Sequence, residues 1–418
     1  MTKNNLHWNR IFHDLSVLQE LVGSETFKIS SQQINRYRES RLMAKFDHQS
    51  QLPQIFKDNG LSILPVTRGD YLIGRFSTFE KLSYDHRTVE ERASLPPHIH
   101  TIDPTNIYSE SAALNCAFTS GMLTELVGED VMPTVSGRMS TSDFEFKIKG
   151  ASQPLSVRNS QCEIDGGFEG EHSLLLLEAK NQRIDDFNIR QIYYPYRLWS
   201  GKIHKKIVPA LLTFSNDVFS FFIYEFTDQS DFNSIQLVQQ RNFSLVNETV
   251  TMRDVQEILD TTVIVPEPET PFPQADSFER VIDLMGLLAN AGTLPYDFLT
   301  ENYDFADRQT SYYVAAGRYL GLVDSLGARQ AALTSKGQKL MQSTFKEKNM
   351  GFIRSILSHE VFNRCMKLYL EKAAPLSQEE IVGIMRDCSL RGIDSPVTYG
   401  RRAQTIRAWL DWIVTICE

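Results

Sequence analysis

The chain has 418 residues, 42% hydrophobic and 23% charged, with a formal net charge of −9. This composition is that of a folded protein too long for one core, so about two to four domains are expected, and the acidic balance argues against coating nucleic acid by bulk charge while leaving room for local basic surfaces. No apolar run approaches the roughly 20 residues of a membrane helix, and the start MTKNNLHWNRIF lacks a signal peptide's apolar core, so a cytoplasmic protein with no membrane partner is expected.

Residues 1–105 read as an N-terminal accessory region of mixed α/β character, in which LSILPVTRGDYLIGRF places β-formers on either side of a Gly-Asp turn. From Tyr108, the stretch YSESAALNCAFTSGMLTELVGE sets Ala112, Ala113, Ala117, Met122 and Leu126 near a helical period, with Ser109 as the cap. Strand-like FEFKIKG, LSVRNSQCEID and LLLLEAK follow, then a helix containing FNIRQIYYPYRLW, then the runs KIVPALLTFS and VFSFFIYEFT. Apolar strands without alternation, with a helix between them, predict a mixed α/β domain over 106–262 whose sheet is covered on both faces. VIVPEPETPFPQAD predicts an interdomain linker over 263–274, because prolines and acids disfavour regular structure. Residues 275–342 read as three helices and a two-stranded element around Gly327, the order of a winged helix, and 343–418 as a second helical, helix-turn-helix-like unit. The five cysteines are scattered with no C-x-x-C pair, which predicts neither a zinc knuckle nor a disulfide framework.

The stretch CEIDGGFEGEHSLLLLEAK at 162–180 carries the chemistry. An apolar strand does not ordinarily end in an acid, one small residue and a lysine, since an unpaired buried charge costs several kcal/mol. On a strand, Glu178 and Lys180 project to the same side and Ala179 to the other. If CEID is the preceding strand and GGFEGEHS the turn, Asp165 sits where the two strands diverge, close enough to Glu178 for both carboxylates to hold one hard cation. Such oxygen ligands suit Mg²⁺, with Mn²⁺ as a substitute, and the lysine ammonium would orient the water that attacks a phosphodiester.

Asp165 followed by Glu178-Ala179-Lys180 resembles the motif of the PD-(D/E)XK nuclease superfamily, the fold of many type II restriction endonucleases, over roughly residues 106–226. Ile164 stands where the family usually has proline. The resemblance implies an α/β (α+β) restriction-endonuclease-like core with a mixed sheet flanked by helices, and Mg²⁺-dependent hydrolysis of double-stranded DNA. It also implies an additional acid from the preceding helix, for which Glu110 is preferred to Glu125, and a polar residue from the following helix, Gln191. Glu169 and Glu171 read as solvated turn residues.

DNA contacts are expected from the C-terminal half as well. Asp307, Arg308, Gln309, Thr310, Tyr312 and Tyr313 cluster at the start of the expected recognition helix, where such groups read base edges and bind phosphates. Arg401, Arg402, Gln404, Thr405 and Arg407 recur through the last helix, and Lys202, Lys205 and Lys206 follow the Gln191 helix. The expected protein is a site-specific endonuclease, homodimeric on DNA because double-strand cleavage needs two sites. The alternatives are a DNA-binding regulator with an inactive nuclease-like fold, or a repair or phage-defence nuclease.

Overall fold

The computed structural model describes residues 3–85, 87–245, 249–302, 307–327, 329–388, 390–393 and 395–417. The chain divides into two compact units, one of Met1–Ile99, Ser109–Phe214 and Val218–Ser244, the other of His100–Tyr108, Ser215–Asp217 and Leu245–Glu418. The first unit holds a mixed sheet with helices, and the second is mostly helical. No helix among the described residues is long and apolar enough to cross a membrane.

The first unit begins with helices around a three-stranded antiparallel sheet in the order Thr26–Ser30, Asp70–Gly74, Ser62–Pro65. The two strands expected from LSILPVTRGDYLIGRF form as Ser62–Pro65 and Asp70–Gly74 and are joined through residues 66–69, so that Asp70 of the turn signal opens the second strand. Trp8, Phe12 and Phe56 meet edge-on in the core beneath them.

This unit also holds a seven-stranded mixed sheet. Its strands in chain order are β1 (Glu90–Arg92), β2 (Met132–Ser140), β3 (Gln161–Glu169), β4 (Ser173–Lys180), β5 (Lys206–Ser215), β6 (Val218–Phe226) and β7 (Ile235–Ser244), and in space β1-β7-β6-β5-β4-β3-β2. β3 pairs antiparallel with β4, whereas β4 and β5 are parallel. A parallel neighbour requires a crossover, and helix α2 (Arg190–Ser200) supplies it. Helix α1 (Glu110–Thr119) lies between β1 and β2 in the chain, and both helices pack on β4. β4 is therefore buried along its whole length, which is why Leu174 to Leu177 show no alternation.

Two local expectations are corrected here. The helix from Glu110 stops at Thr119 and a second one runs Met122–Val127, because Gly121 between them adopts φ +80°. Ser109 does cap the first, its Oγ accepting from Ala112 N at 3.1 Å. The glycine-rich stretch is strand rather than turn: Gly166 and Gly167 lie inside β3, and the turn shrinks to Gly170, Glu171 and His172. A Cβ on Gly167 would lie 2.9 Å from Val135 Cβ, and one on Gly166 would lie 2.7 Å from the Phe168 ring, so these glycines serve close approach within the sheet.

In the second unit, helices Phe278–Ala291, Tyr296–Asn302 and Asp307–Tyr319 are followed by the strands Val323–Leu326 and Gln330–Leu333, with Leu294–Pro295 added to the same sheet. One continuous core runs from Val250 to Ile413, so the expected modules 275–342 and 343–418 share their interior. The helix Met252–Thr261, expected in the central domain, contributes Val255, Ile258 and Leu259 to that same core.

The segment 263–274 is built into this unit and does not behave as a linker. Phe272 is 2% exposed and stacks on Phe362 at 5.7 Å between centroids, Val265 N donates to Ser358 O, and Tyr319 OH donates to Glu267 Oε2 at 3.0 Å. Prolines exclude a helix, but an aromatic among them still gains by burial. Phe272→Ala is expected to destabilise the unit by about 3–5 kcal/mol, measured by denaturant titration, whereas a solvated linker position would change it by less than about 0.5 kcal/mol.

Candidate active site

Residue pairing between β3 and β4 ends at Gly166 opposite Leu177, while β4 stays paired to β5 as far as Lys180 opposite Thr213. The last turn of β4 thus has one open edge. Asp165 stands at the point of divergence, and its Oδ2 accepts from Ala179 N at 2.9 Å in place of the lost ladder bond. Glu178 and Lys180 emerge on one face, each 8% exposed, with Lys180 Nζ 2.6 Å from Glu178 Oε1. Gln191, in the first turn of α2 and also 8% exposed, donates through Nε2 to the same Glu178 oxygen. Glu110, first residue of α1, reaches within 3.8 Å of Lys180 Nζ with 46% of its side chain exposed. All five candidate residues of the central domain are thereby gathered at one end of β4.

Asp47, which the sequence reading missed, joins them. It lies in KFDHQS, 118 positions before Asp165, and no local pattern marks it. The loop Phe46–Gln49 is fastened to the short strand Asp186–Asn188, just before α2, and this brings the carboxylate to the cluster.

The electrostatics follow from burial. Desolvation pushes the Glu178 carboxyl up to about 8; Lys180 opposes the rise, and Asp165 and Asp47 add to it. Burial alone would depress the Lys180 ammonium, but Glu178, Glu110, Asp47 and Asp165 outweigh it and hold it above the ordinary lysine range. Glu110 is raised by desolvation first and by Asp165 and Asp47 as like charges. Around one ammonium the site therefore gathers Asp47, Glu110, Asp165 and Glu178, an excess of negative charge that a divalent cation would relieve.

Three family models match the chain, each described as a domain of unknown function: DUF6996 over residues 5–73, DUF6997 over 74–244 and DUF7226 over 280–418. No curated protein and no solved structure matches it. The middle match ends at residue 244, where the first unit ends, and it contains every site residue except Asp47.

The oxygen donors Asp165 and Glu178 would suit Mg²⁺. Among the described residues no group of three or more His, Cys, Asp or Glu side chains is arranged to hold an ion by itself. Mg²⁺ asks for less, since it keeps several waters and takes one or two carboxylates plus substrate phosphate, and Asp165 with Glu178 would supply the carboxylates. Two buried acceptors, Gln191 Oε1 and Asp47 Oδ1, have no hydrogen-bond partner. Because a metal competes with the Glu178 proton, Mn²⁺ affinity is expected to rise roughly tenfold per pH unit between about pH 6 and 8 and to level off above. Calorimetric titration across that range checks it, and a flat profile would remove Glu178 from the ligand set.

The expected DNA contacts separate by burial. Thr405 is 0% exposed and donates to Asp276 Oδ1 at 2.8 Å, Arg402 is 7% exposed, and Tyr313 is 7% exposed within the core; these three are corrected to interior residues. Arg402 is turned about 100° round the helix from Arg401 and falls, with Thr405, among the buried positions Ala403, Ile406 and Trp409 that pack in the core. Thr310 is buried too, 2.8 Å from Thr300 Oγ1. Arg401, Gln404 and Arg407 do lie on the exposed face, and Arg407 donates to Leu376 O at 3.2 Å. Gln309 and Tyr312 are half-buried, and the side chains of Asp307 and Arg308 lie outside the described residues. Lys202 and Lys206 are exposed, while Lys205 is held by Glu169 at 2.6 Å and by the Gly170 carbonyl at 2.8 Å, so Glu169 is an ion-pair partner instead of a free turn residue.

Proposed function

We propose that this protein is a metal-dependent DNA endonuclease of the restriction type, with a PD-(D/E)XK-like catalytic domain and a C-terminal unit, winged-helix-like in its element order, that selects the DNA. The observation that carries the reading is the meeting of Asp165, Glu178, Lys180 and Gln191 where β3 and β4 part. Side chains from different elements converge there on one buried carboxylate, an expensive arrangement with no benefit to packing alone.

In this reading Asp165 and Glu178 bind the cation, Gln191 fixes the rotamer of Glu178 through its Nε2 bond, and Lys180 orients the attacking water and stabilises charge developing on the phosphate. The cation, when bound, polarises the phosphoryl oxygen and lowers the pKa of a bound water. An ammonium held above the ordinary lysine range is no general base, so Lys180 acts as a donor and a charge. Cleavage of both strands calls for a second copy of the site, hence a homodimer on DNA.

Incubating the protein with unmethylated plasmid or phage DNA, with Mg²⁺ and with EDTA, tests the reading. Discrete fragments that require the metal are expected. Binding without cleavage under every metal would instead favour a DNA-binding regulator, and cleavage confined to modified or branched DNA a repair or defence nuclease.

A further inference from the structure

The N-terminal region lies outside the 106–226 stretch that resembles a nuclease, and its family match ends where that of the central domain begins. One of its loops is nevertheless bonded to the chain just ahead of α2. His48 Nδ1 donates to Asp186 O at 2.7 Å, Gln49 N to Asp186 Oδ1 at 2.9 Å and Asn188 N to Asp47 O at 2.9 Å. The side-chain amide of Asn188, a residue 4% exposed, acts in two directions: its Nδ2 donates to Phe46 O at 3.1 Å, and its Oδ1 accepts from Arg190 N, the first N–H of α2, at 3.1 Å. The residue in the capping position, Ile189, has no side-chain acceptor, and Asn188 supplies one from a position earlier.

Gln191 follows directly and donates through Nε2 to Glu178 Oε1, the oxygen that Lys180 also holds, whereas among the described residues no hydrogen bond reaches Glu178 Oε2. Those two bonds fix which oxygen the carboxylate presents. A hydrogen bond does not survive a displacement of about 1 Å, so the bond from Gln191 depends on where the first turn of α2 is held. The backbone of that turn has a second anchor in the central domain, since Ile189 N donates to Thr78 O at 2.9 Å, and the chain can fold with the Asn188 amide removed. We propose that Asn188 is a positioning residue whose amide ties the start of α2 to the Phe46–Gln49 loop, so that the N-terminal region holds Gln191 on Glu178.

The proposal deepens the nuclease reading, from which the role of Glu178 comes, and its first test needs neither metal nor DNA. The side-chain amide protons of Gln191, identified by their disappearance in Gln191→Ala, are followed by nuclear magnetic resonance in the full-length protein. The Trp8 indole proton, donated to Met43 O at 2.9 Å in the N-terminal core, reports folding. In Asn188→Ala, and in His48→Ala, which loosens the same loop from its own side, the bonded Gln191 proton is expected to exchange with water at least about tenfold faster while the Trp8 proton is unchanged. Mn²⁺ affinity, read by calorimetry, is expected to fall roughly tenfold in Asn188→Ala, the low end of the range for groups that act through a ligand's neighbour, and Asn188→Ala is expected to add no loss in a Gln191→Ala background. A Gln191 proton that stays slow in either variant, its loss together with the Trp8 proton in both, or an undiminished loss of Mn²⁺ in the Gln191→Ala background overturns the proposal. If Asp165→Asn abolishes Mn²⁺ binding while the Gln191 proton persists in Asn188→Ala, the positioning role alone falls. If the Gln191 proton behaves as expected but the unmodified protein neither binds Mn²⁺ nor cuts DNA, the nuclease reading falls and the hold on Gln191 stands.

Discussion

Asp165→Asn and Glu178→Gln are each expected to slow single-turnover DNA cleavage by a factor on the order of 10³ or more, with DNA affinity measured in Ca²⁺ changed less than about threefold. The size follows from the work asked of the cation: charge stabilisation on a phosphoryl oxygen is worth several kcal/mol, and each 1.36 kcal/mol is about tenfold in rate. The amides are chosen because they keep the local bonds. An asparagine at 165 can still accept from Ala179 N, which the aspartate now does at 2.9 Å, so the parting of β3 and β4 should survive the loss of charge. At 178 the amide withdraws the carboxylate that stands 2.6 Å from the buried Lys180 ammonium, so a thermal midpoint below that of the unmodified chain is expected in EDTA. Cleavage at a normal rate by Asp165→Asn would show that the metal site is elsewhere.

The second large effect is expected at Lys180. Lys180→Met should lower the single-turnover rate by about 10²–10³ while leaving the affinity for DNA nearly unchanged, because a group that acts on charge present only in the transition state contributes little to ground-state binding. Methionine retains much of the aliphatic stem that β4 buries at this position. Removing the ammonium also withdraws the main opposition to the rise of Glu178, so the acid limb of the pH–rate profile should move to higher pH. A regulator with an inert nuclease-like fold makes the opposite forecast, since there Lys180→Met would alter neither DNA binding nor any metal-dependent product. Equal, parallel losses of rate and affinity would place Lys180 among the DNA-binding groups and end its assignment to the chemical step.

Much of the site was legible because its residues are close in sequence and governed by a strict local rule. The alternation of a strand puts Glu178 and Lys180 on one face without reference to the rest of the molecule, and the structure sets them 2.6 Å apart. The helix carrying Gln191, the cap at Ser109 and the strands of the central domain follow from periodicity and turn chemistry in the same way. Local rules failed where long-range packing prevails. The glycines before β4 carry a turn signal in the sequence, although a glycine is equally what a sheet needs where Val135 and Phe168 press against the backbone. The prolines of 263–274 correctly excluded a helix, but they carried no information about the pocket that Phe272 fills.

Charge on a helix was the least informative signal of all. Arg401 and Arg402 are identical in sequence terms, yet one is exposed and the other is 7% exposed, and only the core that surrounds the last helix decides between them. Asp47 marks the same limit, for the place of its loop is set by hydrogen bonds between Phe46–Gln49 and Asp186–Asn188. The sequence by itself determined the chemistry available at the end of β4, because that chemistry depends on side chains two positions apart on one strand. The tertiary structure alone decided which distant groups surround it and which basic residues face water, because burial is a property of everything packed around a position and not of its neighbours in the chain.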